Sequence, residues 1–145
     1  MLDKIEKKFS ISGLNHLGLI VEDIAIAREW YCNALGLEII EDRGEIIFLR
    51  AGSDVIAIKT PAMAVAKPEH SEQRDMNYRS SGGWQAMDHY GFFAKNRQEV
   101  DNFAAMLNEK NIHIIKGPYD RKDGRSVYFR DPCGNVGEYF FYIAD

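Results

Sequence analysis

The sequence predicts an α+β fold: two β-α-β-β-β units fused in one chain. Three observations predict it. "NHLGL" (15–19) returns as "DHYGF" (88–92), each with a histidine inside an apolar run and a glycine two residues later. Each run leads into a segment of helical period, and each helix is followed by three short strand-like runs. The whole order recurs at a nearly constant offset, the mark of an internal duplication.

The first unit takes residues 11–60. Gly13 to Val21 reads as a strand, and Glu22-Asp23 offers an N-cap. Ile24 to Leu35 then carries Ile24, Ala27, Trp30-Tyr31 and Ala34-Leu35 at helical spacing, with Gly36 as the terminator. Leu37–Ile40, Glu45–Arg50 and Asp54–Lys59 are three strands set apart by Arg43-Gly44 and Gly52-Ser53 turns.

The second unit takes residues 86–145. Met87 to Ala94 reads as a strand, and Asn96 with Glu99 three residues on has capping-box spacing. Val100 to Glu109 is helical, and strands follow at Ile112–Ile115, Arg125–Arg130 and Val136–Ile143. His16 and His89 are 73 residues apart, and on that offset Asp23 meets Asn96 and Trp30 meets Phe103. Further on, "GEIIFLR" (44–50) meets "GRSVYFR" (124–130) at an offset of 80, a drift that loop insertions account for. Between the units, residues 61–85 form a long connection, and both a plain linker and a lid stay open for it.

Composition narrows the function class. A chain of 145 residues, 46% hydrophobic and 28% charged, is an ordinary globular domain in size and content. It has no apolar stretch of the roughly 18 residues a membrane span needs, and its first residues lack the apolar core of a secretory signal. Two cysteines make no disulfide framework, so a reducing cytoplasm is the expected compartment, with Cys32 and Cys133 inert. A net charge of -4 without a Lys/Arg cluster argues against nucleic acid and leaves a small molecule as the expected partner.

Strand alternation then selects the chemical residues. His16 shares a face with Gly18 and Ile20, and His89 shares one with Gly91 and Phe93. A glycine at the same offset from each histidine suggests space cleared beside each imidazole. Glu138 stands in an aromatic last strand, where a carboxylate must be paired or bound to a metal. A salt bridge to a lysine or arginine would explain it. Together with His16 and His89 it would make a 2-His-1-carboxylate set, suited to Fe(II) and able to hold Zn, Mn, Ni or Co. His70 and His113 have no counterpart in the other unit.

These features resemble the vicinal oxygen chelate superfamily, which includes glyoxalase I, type I extradiol dioxygenases, fosfomycin-resistance proteins and bleomycin-binding proteins. The resemblance rests on the paired units, on His16 and His89, and on "DPCGNVGE" (131–138), and covers residues 11 to 143. It implies curled mixed sheets around one divalent metal ion (Fe2+, Zn2+, Mn2+, Ni2+ or Co2+) held by His16, His89 and Glu138, a substrate chelated through two adjacent oxygens, and a homodimer. Glyoxalase I would add a glutamate closing the first unit, but an offset of 81 puts Ala57 opposite Glu138. The extradiol pattern fits "VYFRDPCGNVGE" (127–138) but lacks a histidine in "YDRKDGRS" (119–126). The fosfomycin-type pattern matches Ser126 and Tyr128, without an arginine after Glu138. A metal-free binding module has no use for the full ligand set. The expectation is a three-ligand, dioxygenase-like metalloenzyme, with a glyoxalase-like lyase or a resistance or binding protein as alternatives. Tyr128 is the expected catalytic hydrogen-bond donor. Gly18, Gly91, Ser126, Tyr128 and Arg125 are expected to line the substrate site.

Overall fold

Asp23 starts the first helix as the spacing predicts, its Oδ1 accepting from the backbone N–H groups of Ala25 and Ile26. The computed structural model describes residues 8–65 and 87–143. Strand β1 (His16–Ile20) leads into α1 (Ile24–Arg28), which widens into a π-helix over Glu29–Ala34. The sequence predicts one regular helix to Leu35. The widened turn, closed by Leu35 N–H donating to the Trp30 carbonyl, lets adjacent Trp30 and Tyr31 both turn inward. Gly36 then breaks the helix at φ +74°. Strands β2 (Glu38–Asp42), β3 (Ile46–Ala51) and β4 (Asp54–Lys59) complete the first unit.

The second unit repeats this order with β5 (Tyr90–Phe93), α2 (Arg97–Glu109), β6 (His113–Arg121), β7 (Gly124–Arg130) and β8 (Val136–Tyr142). Asn96 caps α2 by accepting from Glu99 N–H, while the Glu99 carboxylate reaches back to Lys95 N–H, one residue before the cap. Strand β6 runs six residues beyond its predicted end, through one irregularity between Ile114 and Lys116 and a second, between Lys116 and Tyr119, that contains Gly117-Pro118. A proline and a glycine there read as a strand end in sequence; cross-strand pairing with β7 carries the chain past them.

Each unit makes a four-stranded mixed sheet, in the orders β1-β4-β3-β2 and β5-β8-β7-β6. The first and last strands of each unit pair in parallel and the others antiparallel. The two sheets do not close on each other, and β1 and β5 are both edge strands. One core joins the units. Trp30 packs on Phe129 at 5.8 Å between ring centroids, and Tyr31 on Tyr90 at 6.3 Å. Under these rings both phenols donate to buried Asp131, Tyr31 at 2.5 Å and Tyr90 at 3.0 Å. The other Asp131 oxygen accepts from the backbone N–H groups of Cys133 and Asn135, so this buried carboxylate is fully hydrogen-bonded.

With one face of each sheet on the core, strand alternation sends the other face outward. In β1, Leu19 is buried while His16, Gly18 and Ile20 are exposed. In β7, Val127 and Phe129 are core, while Ser126 and Tyr128 face the side that carries Glu138. Among the described residues no helix is long and apolar enough to cross a membrane. The connection proposed as a linker or lid lies mostly outside the described residues, as does His70.

Candidate functional site

Strand register builds the site. Parallel pairing of β5 with β8 sets Gly91 against Glu138, and antiparallel pairing of β7 with β8 sets Tyr128 against the same residue. His89, two residues before Gly91 and just ahead of regular β5, therefore enters on the Glu138 face. Its Nε2 stands 3.1 Å from Glu138 Oε2. The other carboxylate oxygen, Oε1, accepts from the Ser126 hydroxyl at 2.5 Å and from Arg121 Nη1 at 3.3 Å. Glu138 is 8% exposed and Ser126 fully buried, so these bonds form largely away from water. Tyr128 meets the His89 ring edge-on, with centroids 5.1 Å apart. Burial, followed by the Glu138 carboxylate and a hydrogen bond to it, pushes the Tyr128 phenol up to about 12. At neutral pH it is a donor.

The arrangement fits a metal ion. Two ligands about 2.1 Å from one ion stand about 3.0 Å apart at right angles and about 3.4 Å apart at the tetrahedral angle, a range that includes the His89–Glu138 separation. Ser126 and Arg121 occupy one carboxylate oxygen and leave the other toward His89. Gly91 keeps the adjoining space clear: a Cβ there would lie 3.9 Å from Oε2, and any longer side chain would extend beside the carboxylate. Within the chain, however, no group of three or more His, Cys, Asp or Glu side chains is gathered for a metal among the described residues. His16 stands on the first sheet, exposed, beside Gly18, whose Cβ position meets open space. Both histidines border one cavity of about 720 Å³ that runs past the free edges of β1 and β5.

The duplication can now be read in register. Gly18 pairs with Ala57 and Ala57 with Phe48, as Gly91 pairs with Glu138 and Glu138 with Tyr128. Ala57 is thus the counterpart of Glu138, at the offset of 81. The offset of 80 puts Ile46 and Phe48 where the second unit has Ser126 and Tyr128. The first face has its histidine and glycine, with the apolar Ala57, Ile46 and Phe48 at the positions of Glu138, Ser126 and Tyr128.

Arg125 does not stand where it is expected, on the Glu138 face. Arg125 shares parity with core residues Val127 and Phe129, and its guanidinium is held by Asp101 of α2 at 2.7 Å and Asp120 of β6 at 3.2 Å. The cation on the Glu138 face is Arg121, which also pairs with Asp123 at 3.1 Å and lies over the Phe140 ring. Sequence reading ends this strand at Ile115 and so misses Arg121, whereas Tyr119 to Arg121 continue β6. It also passed over Asn15 and Asp88, the first letters of the two pentads. Asn15 Oδ1 lies 2.7 Å from His16 Nδ1, and Asp88 Oδ2 lies 2.6 Å from His89 Nδ1. Cys32 and Cys133 are free; burial, then Asp131, pushes the Cys133 thiol up to about 12 and leaves it inert.

Comparison with known proteins shows the family. The model of the Glyoxalase/Bleomycin resistance protein/Dioxygenase superfamily matches residues 13–139, nearly the whole chain. The chain belongs to that superfamily. Among solved members, a glyoxalase/dioxygenase from Nostoc punctiforme superposes with a TM-score of 0.71 at 19% identity, over 99% of this chain and 100% of that one. A variant of the fosfomycin resistance protein FosX from Listeria monocytogenes superposes with a TM-score of 0.65 at 22% identity, over 90% of each chain; it was solved with Mn(II) and 1S,2S-dihydroxypropylphosphonic acid. At these identities the likeness shows the fold alone. A manganese-dependent 2,3-dihydroxybiphenyl 1,2-dioxygenase from Geobacillus genomosp. 3 is 23% identical over 135 residues, covering 92% of this chain. The chain spans 38% of the length of that relative. Superfamily members thus include lyases and dioxygenases, and the paired sheets here are their fold.

Proposed function

We propose that this chain is a divalent-metal-dependent enzyme acting on a small molecule through two adjacent oxygens, with His16, His89 and Glu138 as its three metal ligands. The observation that carries the reading is the His89 Nε2–Glu138 Oε2 pair, 3.1 Å apart on one sheet face, with the second carboxylate oxygen occupied by Ser126 and Arg121. His16 stands on the other sheet, so its place in the set is taken up by a homodimer. The first sheet of one copy meets the second sheet of its partner. The free edges of β1 and β5, and the exposed Leu14, Ile20 and Phe93 around them, support that assembly.

When bound, the ion would act as a Lewis acid on the two substrate oxygens. The rest falls to the chain. Ser126 and Arg121 hold Glu138 in one orientation, and Tyr128 keeps its proton and donates toward the substrate. Ala57, where four-ligand relatives of the glyoxalase type would have a carboxylate, leaves coordination positions free for substrate. This favours a dioxygenase-like site. Manganese in a dioxygenase relative and in the FosX variant makes Mn(II) the first ion to test.

Arg121 supports a second reading. A cation beside Glu138 suits a substrate carrying an anionic group, as in the fosfomycin-resistance branch.

Elemental analysis of protein purified without chelators, compared with His89→Ala, tests the metal. Metal in the wild type and a large loss in the variant is expected; equal content in both overturns the reading. Oxygen uptake with a catechol panel, set against thiol addition to fosfomycin and hemithioacetal turnover, separates the branches.

A further inference from the structure

The two pentads share more than a histidine and a glycine. In each, the residue just before the histidine bonds that histidine's Nδ1: Asn15 Oδ1 to His16 at 2.7 Å and Asp88 Oδ2 to His89 at 2.6 Å. Side chains next to each other in a regular strand point to opposite faces. These contacts form because His16 is the first residue of β1 and His89 precedes β5 by one, where the lead-in has not yet flattened. The same local bond at two positions 73 residues apart, one at the start of each unit, is two observations of one device.

We propose that Asn15 and Asp88 are the positioning residues of His16 and His89, holding Nδ1 so that Nε2 is the ring atom each histidine offers to the site. The inference rests on the metal reading above and adds to it which atom binds and what sets that atom. An ionised carboxylate only accepts hydrogen bonds, so Asp88 requires the hydrogen on His89 Nδ1. Nε2, the atom 3.1 Å from Glu138, is then the one left for the ion. Asn15 Oδ1 makes the same demand on His16 with a neutral acceptor. Without these bonds an exposed imidazole flips between its two ring orientations and tautomers, and both nitrogens take turns facing the site.

The two histidines depend on this bond unequally. His89 is also restrained by the edge contact with Tyr128 and by Glu138. Among the described contacts, His16 has Asn15 alone. The charged acceptor falls on the better restrained histidine, in the same unit that holds the carboxylate ligand.

The test measures Mn(II) binding by titration calorimetry, with melting of the metal-free chains as a check on folding. Asp88→Ala and Asn15→Ala are expected to weaken Mn(II) by about 10–100-fold, the usual cost of losing an outer partner of a metal-bound histidine. Asp88→Asn keeps an acceptor oxygen and is expected to recover most of that loss. Affinities of both alanine variants within twofold of wild type would overturn the proposal. A second measurement stands apart from the metal: nitrogen-15 shifts of His16 in the metal-free chain. They are expected to report Nδ1–H in the wild type and a move toward Nε2–H in Asn15→Ala. An unchanged tautomer overturns the positioning role. A wild-type chain that takes up no Mn(II) or other divalent ion would defeat the metal reading, while the His16 shifts still decide the role of Asn15.

Discussion

Ala57 sits opposite Gly18 in the parallel pairing of β1 with β4, the register position Glu138 holds opposite Gly91 in the second sheet. A duplicated unit has kept its backbone geometry and changed its chemistry at that point. The neighbours changed with it. Glu138 has Ser126 and Tyr128 beside it on β7, whereas Ala57 has Ile46 and Phe48 on β3.

Restoring the carboxylate alone should therefore fail. Ala57 is 1% exposed, and the residues paired with it, Gly18 and Phe48, offer no side-chain group to receive a charge. Ala57→Glu is expected to lose about 2–5 kcal/mol of stability in urea titration, with no additional metal bound. A variant of full stability with tighter Mn(II) binding would show that the first face was ready for a fourth ligand.

Ser126 holds Glu138 from a fully buried position, and its removal leaves Oε1 with the longer Arg121 contact alone. Ser126→Ala is expected to cost about 1–3 kcal/mol. It should also weaken metal binding, because the carboxylate is freed to rotate. Urea titration and Mn(II) titration on the same variant check both effects, and an unchanged midpoint would contradict the first.

A site shared between copies makes a distinctive mixing experiment. His16→Ala and His89→Ala chains are each expected to be deficient in metal. A heterodimer of the two has one site with both histidines intact and should regain about half of the wild-type metal. Recovery on unfolding and refolding the chains together supports the shared site. No recovery places the ligands within one chain.

Alkaline pH should unfold the protein through its phenols. Burial, with neighbouring carboxylates behind it, pushes Tyr128 and Tyr139 up to about 12, against an ordinary value of 10.0. Burial raises Tyr31 and Tyr90 further. A raised value in the fold means that the neutral phenol is the form the fold favours. Its contribution is complete below pH 10 and is lost as pH rises through about 12. Phenolate absorbance is expected to appear together with loss of secondary-structure ellipticity. Full ionisation at pH 10 with the fold intact would contradict this.

Much of this fold was legible because its signals are local. Asp23 and Asn96 announce two helix starts by residue type, and Gly36 announces an end. Short runs rich in apolar residues and bounded by turns give all eight strands, and Glu138 stands out as a carboxylate among aromatics. Three details were hidden. The π-turn at Glu29–Ala34 answers to Phe129 and Tyr90 in the other unit, which no local pattern contains. Continuation of β6 past Gly117-Pro118 depends on β7 beside it. The bonds from Asn15 and Asp88 depend on where regular pairing begins.

The arginines show where the boundary falls. Alternation along β7 already assigns Arg125 to the core side with Val127 and Phe129, so its pairing with Asp101 was within reach of the sequence. That Arg121 reaches Glu138 was not, because the register of β6 against β7 decides it. By itself the sequence determined two copies of one unit, the histidine in each, and the loss of the carboxylate from the first, since these follow from residue type and spacing. Only the tertiary structure decided that His89 and Glu138 meet while His16 stands on a separate sheet. The side of a strand is a property of the chain, whereas the distance between two sheets is set by the core packed between them.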